Sequence, residues 1–187
     1  MVSIPSLLLP ILVSAVVVFI LSAILHMMLP IHKNDFKKVP KEDELIEALQ
    51  RLDIPPGDYM VPRGEGMECM KDPAFVAKMT KGPIVFMTLM KGKAPSMGKE
   101  LFQWFLFCVA VSIVAAYVTG HALQAGATYL QVYRFAGCVA FVAYGFGCIP
   151  DSIWYKRNWA TTWKSVFDAL LYGLFTGGVF GWLWPKM

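Results

Sequence analysis

The chain has 187 residues, of which 57% are hydrophobic and only 16% charged. A soluble domain runs nearer half apolar and a quarter charged, so the excess of apolar residues is informative. Of the 30 formal charges, 23 fall between Lys33 and Glu100, which leaves the rest of the chain almost charge-free. A soluble core cannot absorb so much contiguous apolar sequence, whereas a bilayer can. The net charge of +4 comes from mixed signs with no basic stripe, which argues against nucleic acid as a partner.

Taken in chain order, the first predicted element is an apolar span from about Pro5 to Leu29, long enough to cross a ~30 Å hydrocarbon layer with some tilt. It is too long for a signal-peptide h-region, and no small-residue cleavage site follows it, so an uncleaved anchor is expected. Residues 1–31 therefore form the first unit. Residues 32–99 follow as a charged, Pro- and Met-rich segment, expected to be mostly irregular and cytoplasmic. Within it, Lys41 to Arg51 reads as a short amphipathic helix with Leu45, Ile46 and Leu49 on one face. Pro73 to Thr80 reads as a helical turn or two with Asp72 as N-cap. Ile84 to Met90 is an apolar run of strand length, and the segment as a whole is too poor in large apolar residues to promise its own core.

Residues 100–187 carry three further spans, at about 101–120, 129–150 and 163–184. Short links force them into an antiparallel meander. The fold class expected is thus all-α integral membrane, with four transmembrane helices. Ten Lys and Arg residues flank the span ends on one side, among them Lys33, Lys37, Lys91, Lys99, Lys156, Arg157 and Lys164. The positive-inside rule places that side in the cytoplasm and both termini outside.

Small residues recur at helical spacing inside the spans: Ser112, Ala116 and Gly120 in the second, and Gly173, Gly177 and Gly181 in the fourth. Such ridges let helix backbones approach closely. They pack the bundle itself or dock it onto another subunit. Intramembrane charges are few. Lys164 and Asp168 are four apart and can pair along one helix face. Asp151 at the inner end of the third span is placed to join Lys164 or Arg157 in an interfacial ion-pair network.

Candidate chemistry is thin. Haem b needs two axial ligands at one depth, and of His26, His32 and His121 only the first two share one; they could ligate together only if the first span ended between them. His26, Met27, Met28 and Cys148 share an inner-leaflet depth and are weak candidates for a soft metal ion. None of the four cysteines, Cys69, Cys108, Cys138 and Cys148, forms a C-x-x-C pair, and no framework of disulfides is expected. Hydrolase, metalloprotease, P-loop and dinucleotide motifs are missing, so no catalytic residue and no cofactor is predicted.

Several short stretches carry a resemblance: His26-Met27 with Pro30, Pro56-Gly57-Asp58-Tyr59-Met60, Met97-Gly98-Lys99, Asp151-Ser152-Ile153-Trp154-Tyr155, and Phe180-Gly181-Trp182-Leu183-Trp184-Pro185. Through them the chain resembles a family of small four-span bacterial membrane proteins to which no activity is assigned. The resemblance implies a bacterial inner membrane and supplies no functional residue. The sequence thus leaves two expectations. The first is a non-catalytic membrane subunit or scaffold, docking on a membrane protein partner through its small-residue faces and charged segment. The alternative is a small-molecule or metal-ion transporter or binder, which needs a polar cavity with Ser112, Thr119, Thr176 and Asp168 as available linings. A solvent-filled cavity reaching Asp168 favours the second; a dry bundle with an exposed glycine ridge favours the first.

Overall fold

The computed structural model describes every residue except Pro95 and Met187. It divides into two compact units, residues 1–36 with 96–187, and residues 37–95.

The first unit is helical. A 3-10 turn, Ile4–Leu7, leads into α1, Leu8–Ala23, and a π-helical turn, Ile24–Met28. Pro10 lies within the first turn of α1, where a missing N–H costs little. Leu7, Ile11, Ala15 and Val18 recur every three or four residues and are buried, while Leu8, Leu9, Leu12, Val16 and Ile20 are exposed. One face therefore packs on protein, and the other presents a continuous apolar surface of a kind water disfavours.

In the second unit, α2 spans Glu42–Leu52 and opens on Glu42, Asp43 and Glu44, which suit the positive end of a helix dipole. Strand β1, Gly57–Val61, pairs antiparallel with β2, Val85–Leu89, in the register Gly57 opposite Leu89 and Val61 opposite Val85. Between the strands lies α3, Pro73–Lys81, whose first turn is capped by a hydrogen bond from the Ala74 N–H to the Asp72 carboxylate. The segment expected to be mostly irregular thus contains two helices and a strand pair. None of its described residues is fully buried. Its backbone order rests on caps and a two-stranded ladder, not on a core.

Returning to the first unit, α4 spans Gly98–Ala122 and α5 spans Tyr129–Gly145. The start of α5 is fixed by a capping box between Thr128 and Gln131. After a 3-10 turn at Phe146–Cys148 the chain continues as α6, Ile149–Trp154, and then as α7, Trp159–Trp182, capped by Asn158. Among the described residues, three helical segments are long and apolar enough to cross a membrane: Ile4–Met28, Gly98–Ala122 and Tyr129–Trp154. The helix α7 matches them in length but carries Lys164 and Asp168 in its first half.

The small-residue ridges are used inside this unit. The most extensive helix–helix interface is that of α5 with α7. A Cβ added to Gly177 would lie 2.5 Å from the Tyr133 carbonyl oxygen, and one added to Gly173 would lie 2.8 Å from that of Gly137. A side chain at Gly181 would meet the Tyr129 ring. On α4, Ser112 accepts a hydrogen bond of 3.0 Å from the Ser14 hydroxyl, and Ala116 is fully buried. The Gly120 carbonyl accepts the Val2 N–H at 2.8 Å. Far from the α7 N-terminus the core is filled by Leu7, Ile11, Ala116, Val132, Ala136 and Phe180. Thr119 and Thr176 are buried within the bundle.

Overpacking an interface this close destabilises it by roughly 1–3 kcal/mol. Gly177→Val is therefore expected to lower the thermal midpoint in detergent clearly. Gly178→Ala, whose new Cβ would meet only the Tyr129 hydroxyl at 3.6 Å, leaves it unchanged or slightly raised. Equal effects of the two substitutions on circular-dichroism melting would contradict the assigned face.

Candidate functional site: a histidine–carboxylate cluster at one end of the bundle

The site begins where α1 ends. Leu29 is extended (φ −94°, ψ 144°), as residues preceding proline prefer, and Pro30 opens a 3-10 turn through His32. The chain therefore reverses within six residues, and His32 returns over His26. The two imidazoles stack with centroids 4.1 Å apart and planes 4° from parallel. The span does end between the two histidines, which is the condition for them to act together.

Both rings face Asp168 on α7. Asp168 is only 2% exposed. Its Oδ2 lies 2.8 Å from His32 Nε2 and 3.8 Å from His26 Nε2. The shorter contact lacks the alignment of a hydrogen bond, and neither Asp168 oxygen nor His32 Nε2 has a hydrogen-bond partner among the described residues. Proximity without alignment is the arrangement of groups that converge on a common point between them.

The other ring nitrogens are spoken for. His26 Nδ1 is 3.2 Å from the Ser22 carbonyl oxygen, which only accepts, so Nδ1 carries the proton. His32 Nδ1 is 2.6 Å from Asp35 Oδ2. The Lys164 ammonium in turn donates to Asp35 Oδ1 at 2.6 Å. Burial pushes the Asp35 carboxyl upward, but hydrogen bonds and charge from Lys164 and His32 outweigh it and hold it below the usual carboxylate range. Asp35 is therefore an ionised acceptor, which fixes a proton on His32 Nδ1. In neutral rings both Nε2 atoms, 2.8 and 3.8 Å from Asp168 Oδ2, are then left as acceptors.

Three electron-rich atoms facing one another repel unless a proton or a metal ion lies among them. The ligand atoms of His26, His32 and Asp168 all fall within 4.8 Å of one another. On a tetrahedral ion with bonds of about 2.0–2.1 Å, donors sit roughly 3.3 Å apart, so small side-chain adjustments suffice to close the set. Two imidazoles and a carboxylate suit borderline first-row divalent ions. The Asp35–His32 bond supplies the carboxylate support that metal-bound histidines commonly have.

Beside the cluster lies a cavity of about 460 Å³, whose lining includes His26, Met27, Cys148 and Asp168 together with Phe19, Trp104 and Tyr172. Of the four residues grouped by depth in the sequence, His26, Met27 and Cys148 thus line one cavity. Met28 is exposed and outside it, and the Cys148 thiol is turned to the Gly145 carbonyl. Of the four polar linings expected, only Asp168 reaches the cavity; Ser112, Thr119 and Thr176 do not line it.

The expected Lys164–Asp168 pair is replaced. Lys164 turns to Asp35, which the 30–36 turn places within reach, and leaves Asp168 to the histidines. Asp151 lies 3.4 Å from Arg157 at the exposed α6–α7 turn, apart from Lys164. Sequence reasoning passed over Asp35 and set His32 aside. The available signal was a His and an Asp three apart, directly after a proline that ends an apolar span.

No protein-family model, no curated protein and no solved structure matches this chain.

Because Asp35 is depressed in the folded state, its contribution to stability is present above the ordinary carboxylate pKa of about 3.9. It is lost as pH falls through the lower native value. A carboxyl ¹³C titration is expected to give Asp35 a midpoint below that of a free aspartate, and Lys164→Met raises it. An unshifted midpoint in the native protein contradicts the pairing.

Proposed function

We propose that this protein is a membrane-embedded binder of a divalent first-row metal ion, held by His26 Nε2, His32 Nε2 and Asp168 at the inner end of the helix bundle. The observation that carries the reading is the buried Asp168 carboxylate, without a hydrogen bond and faced by two imidazole nitrogens whose opposite edges are already committed. The cavity beside it is lined by two of the three groups, His26 and Asp168. Opposed to this, the glycine ridge that a docking subunit would expose is spent on the α5–α7 contact. The far half of the bundle is filled with apolar side chains, which favours binding over conduction.

The reading includes a finer topology. We take α7 as a fourth span, because it lies along α5 over its length. Following the positive-inside rule, we take the span ends rich in Lys and Arg, and with them the metal cluster, as cytoplasmic, both termini as outside and the membrane as a bacterial inner membrane. One observation favours an added role as a subunit. The 37–95 unit has no fully buried described residue and exposes Met67, Met70 and Met90, an adaptable apolar surface for a partner protein. Native mass spectrometry after gentle extraction tests that role: a stable heteromer supports it, and a lone chain sinks it.

For the metal site, the detergent-purified protein is expected to retain one Zn(II) per chain after dialysis, read by elemental analysis and calorimetry. Loss of outer-shell partners typically costs about 10–100-fold in affinity, so Asp35→Asn falls in that range and His32→Ala or Asp168→Asn exceeds it. Met28→Leu and Cys138→Ser leave binding unchanged. Failure to retain Zn(II), or retention indifferent to Asp168→Asn, contradicts the assignment.

A further inference from the structure

The cavity is far larger than an ion needs. A water occupies about 30 Å³ of liquid, whereas the space beside Asp168 holds about 460 Å³, within the range of small-molecule pockets. Its walls are mostly apolar, formed by Phe19, Leu101, Trp104 and Tyr144, with Met27 exposed at the rim. Trp104 is fixed by its indole N–H, which donates to Ser22 at 2.8 Å, and it packs near the Tyr144 and Tyr172 rings. The Tyr172 hydroxyl is buried and has no hydrogen-bond partner among the described residues. That hydroxyl is screened from the cavity, so Tyr172 contributes ring surface to its wall.

Charge narrows the occupant. Lys164 and Asp35 neutralise each other. A divalent ion on Asp168 leaves one uncompensated positive charge beside apolar walls, which is costly to bury. Three protein ligands also leave a coordination position open. We infer that the site is completed by a monoanionic organic molecule with an apolar body, a medium-chain carboxylate by class. Its oxygen would take the open metal position, and its chain would lie along Phe19, Leu101 and Trp104. This rests on the metal reading given above.

The test uses the full-length protein in detergent, loaded with Co(II) as a visible stand-in for Zn(II). Octanoate is expected to shift the Co(II) d–d bands saturably, at least roughly tenfold more tightly than acetate, because each buried methylene strengthens binding. Octanol, which lacks the charge, leaves the bands unchanged. Ala23→Phe, which fills part of the cavity, removes the octanoate response while Co(II) stays bound. If Co(II) binds but octanoate acts no better than acetate, or has no effect, the organic-ligand inference is overturned and the metal site stands. If Co(II) does not bind at all, the metal reading fails and takes this inference with it.

Discussion

A carboxylate removed from water needs a countercharge, and Asp168 organises the lower half of this bundle around that need. The cost of burying an unpaired ion is several kcal/mol even after relaxation. The nearest lysine along its own helix, Lys164, does not meet the need, because it bonds Asp35 instead. What faces Asp168 is a pair of stacked imidazoles delivered by a proline-directed reversal of the chain. Neutral imidazoles do not compensate a carboxylate. Either a proton on one ring or a metal ion among all three groups does. A divalent ion satisfies the three converging atoms at once.

The rest of the first unit reads as support for that point. Gly137, Gly173 and Gly177 let α5 and α7 touch through their backbones, which fixes the helix that carries Asp168. Ser14 and Ser112 join α1 to α4 in the middle of the bundle, and the Trp104–Ser22 bond joins them again beside the cavity. Thus α1, which carries His26 at its end, is held by directional contacts as well as by apolar packing. Close packing at one end and a cavity at the other follow from residue size: glycine and alanine face each other where backbones meet. Phe19, Trp104, Tyr144 and Tyr172 hold the helices further apart where they do not, packing edge-on or tilted against neighbouring rings at centroid distances of 5.3–6.2 Å.

Much of the architecture was legible in the sequence because a bilayer imposes simple rules. Long apolar runs announced the three membrane-length helices, and the small-residue spacing announced close helix contacts, with Gly173 and Gly177 now found against α5. Asp72 was readable as a cap from its place before Pro73. The partner of the 85–89 strand was not, because Gly57–Val61 follows two prolines and looks like a turn. The site was half-visible. His26 and Asp168 could be singled out as polar residues in apolar surroundings. Their meeting depends on how α1 and α7 pack, and the addition of His32 and Asp35 depends on the turn after Pro30. Periodicity describes one helix at a time and says nothing about which polar face meets which. The i,i+4 rule favoured Lys164 for Asp168, and a tertiary contact between residues 129 positions apart overrode it.

The central claim is that two imidazoles and one carboxylate close around a single ion, and X-ray absorption at the zinc edge of the Zn(II)-loaded protein tests it most directly. The account predicts a first shell of nitrogen and oxygen at about 2.0–2.1 Å with the multiple-scattering signature of two imidazole rings. The second ring's signature should disappear in His32→Ala. A shell dominated by sulfur at about 2.3 Å, or one with no imidazole scattering, would contradict it.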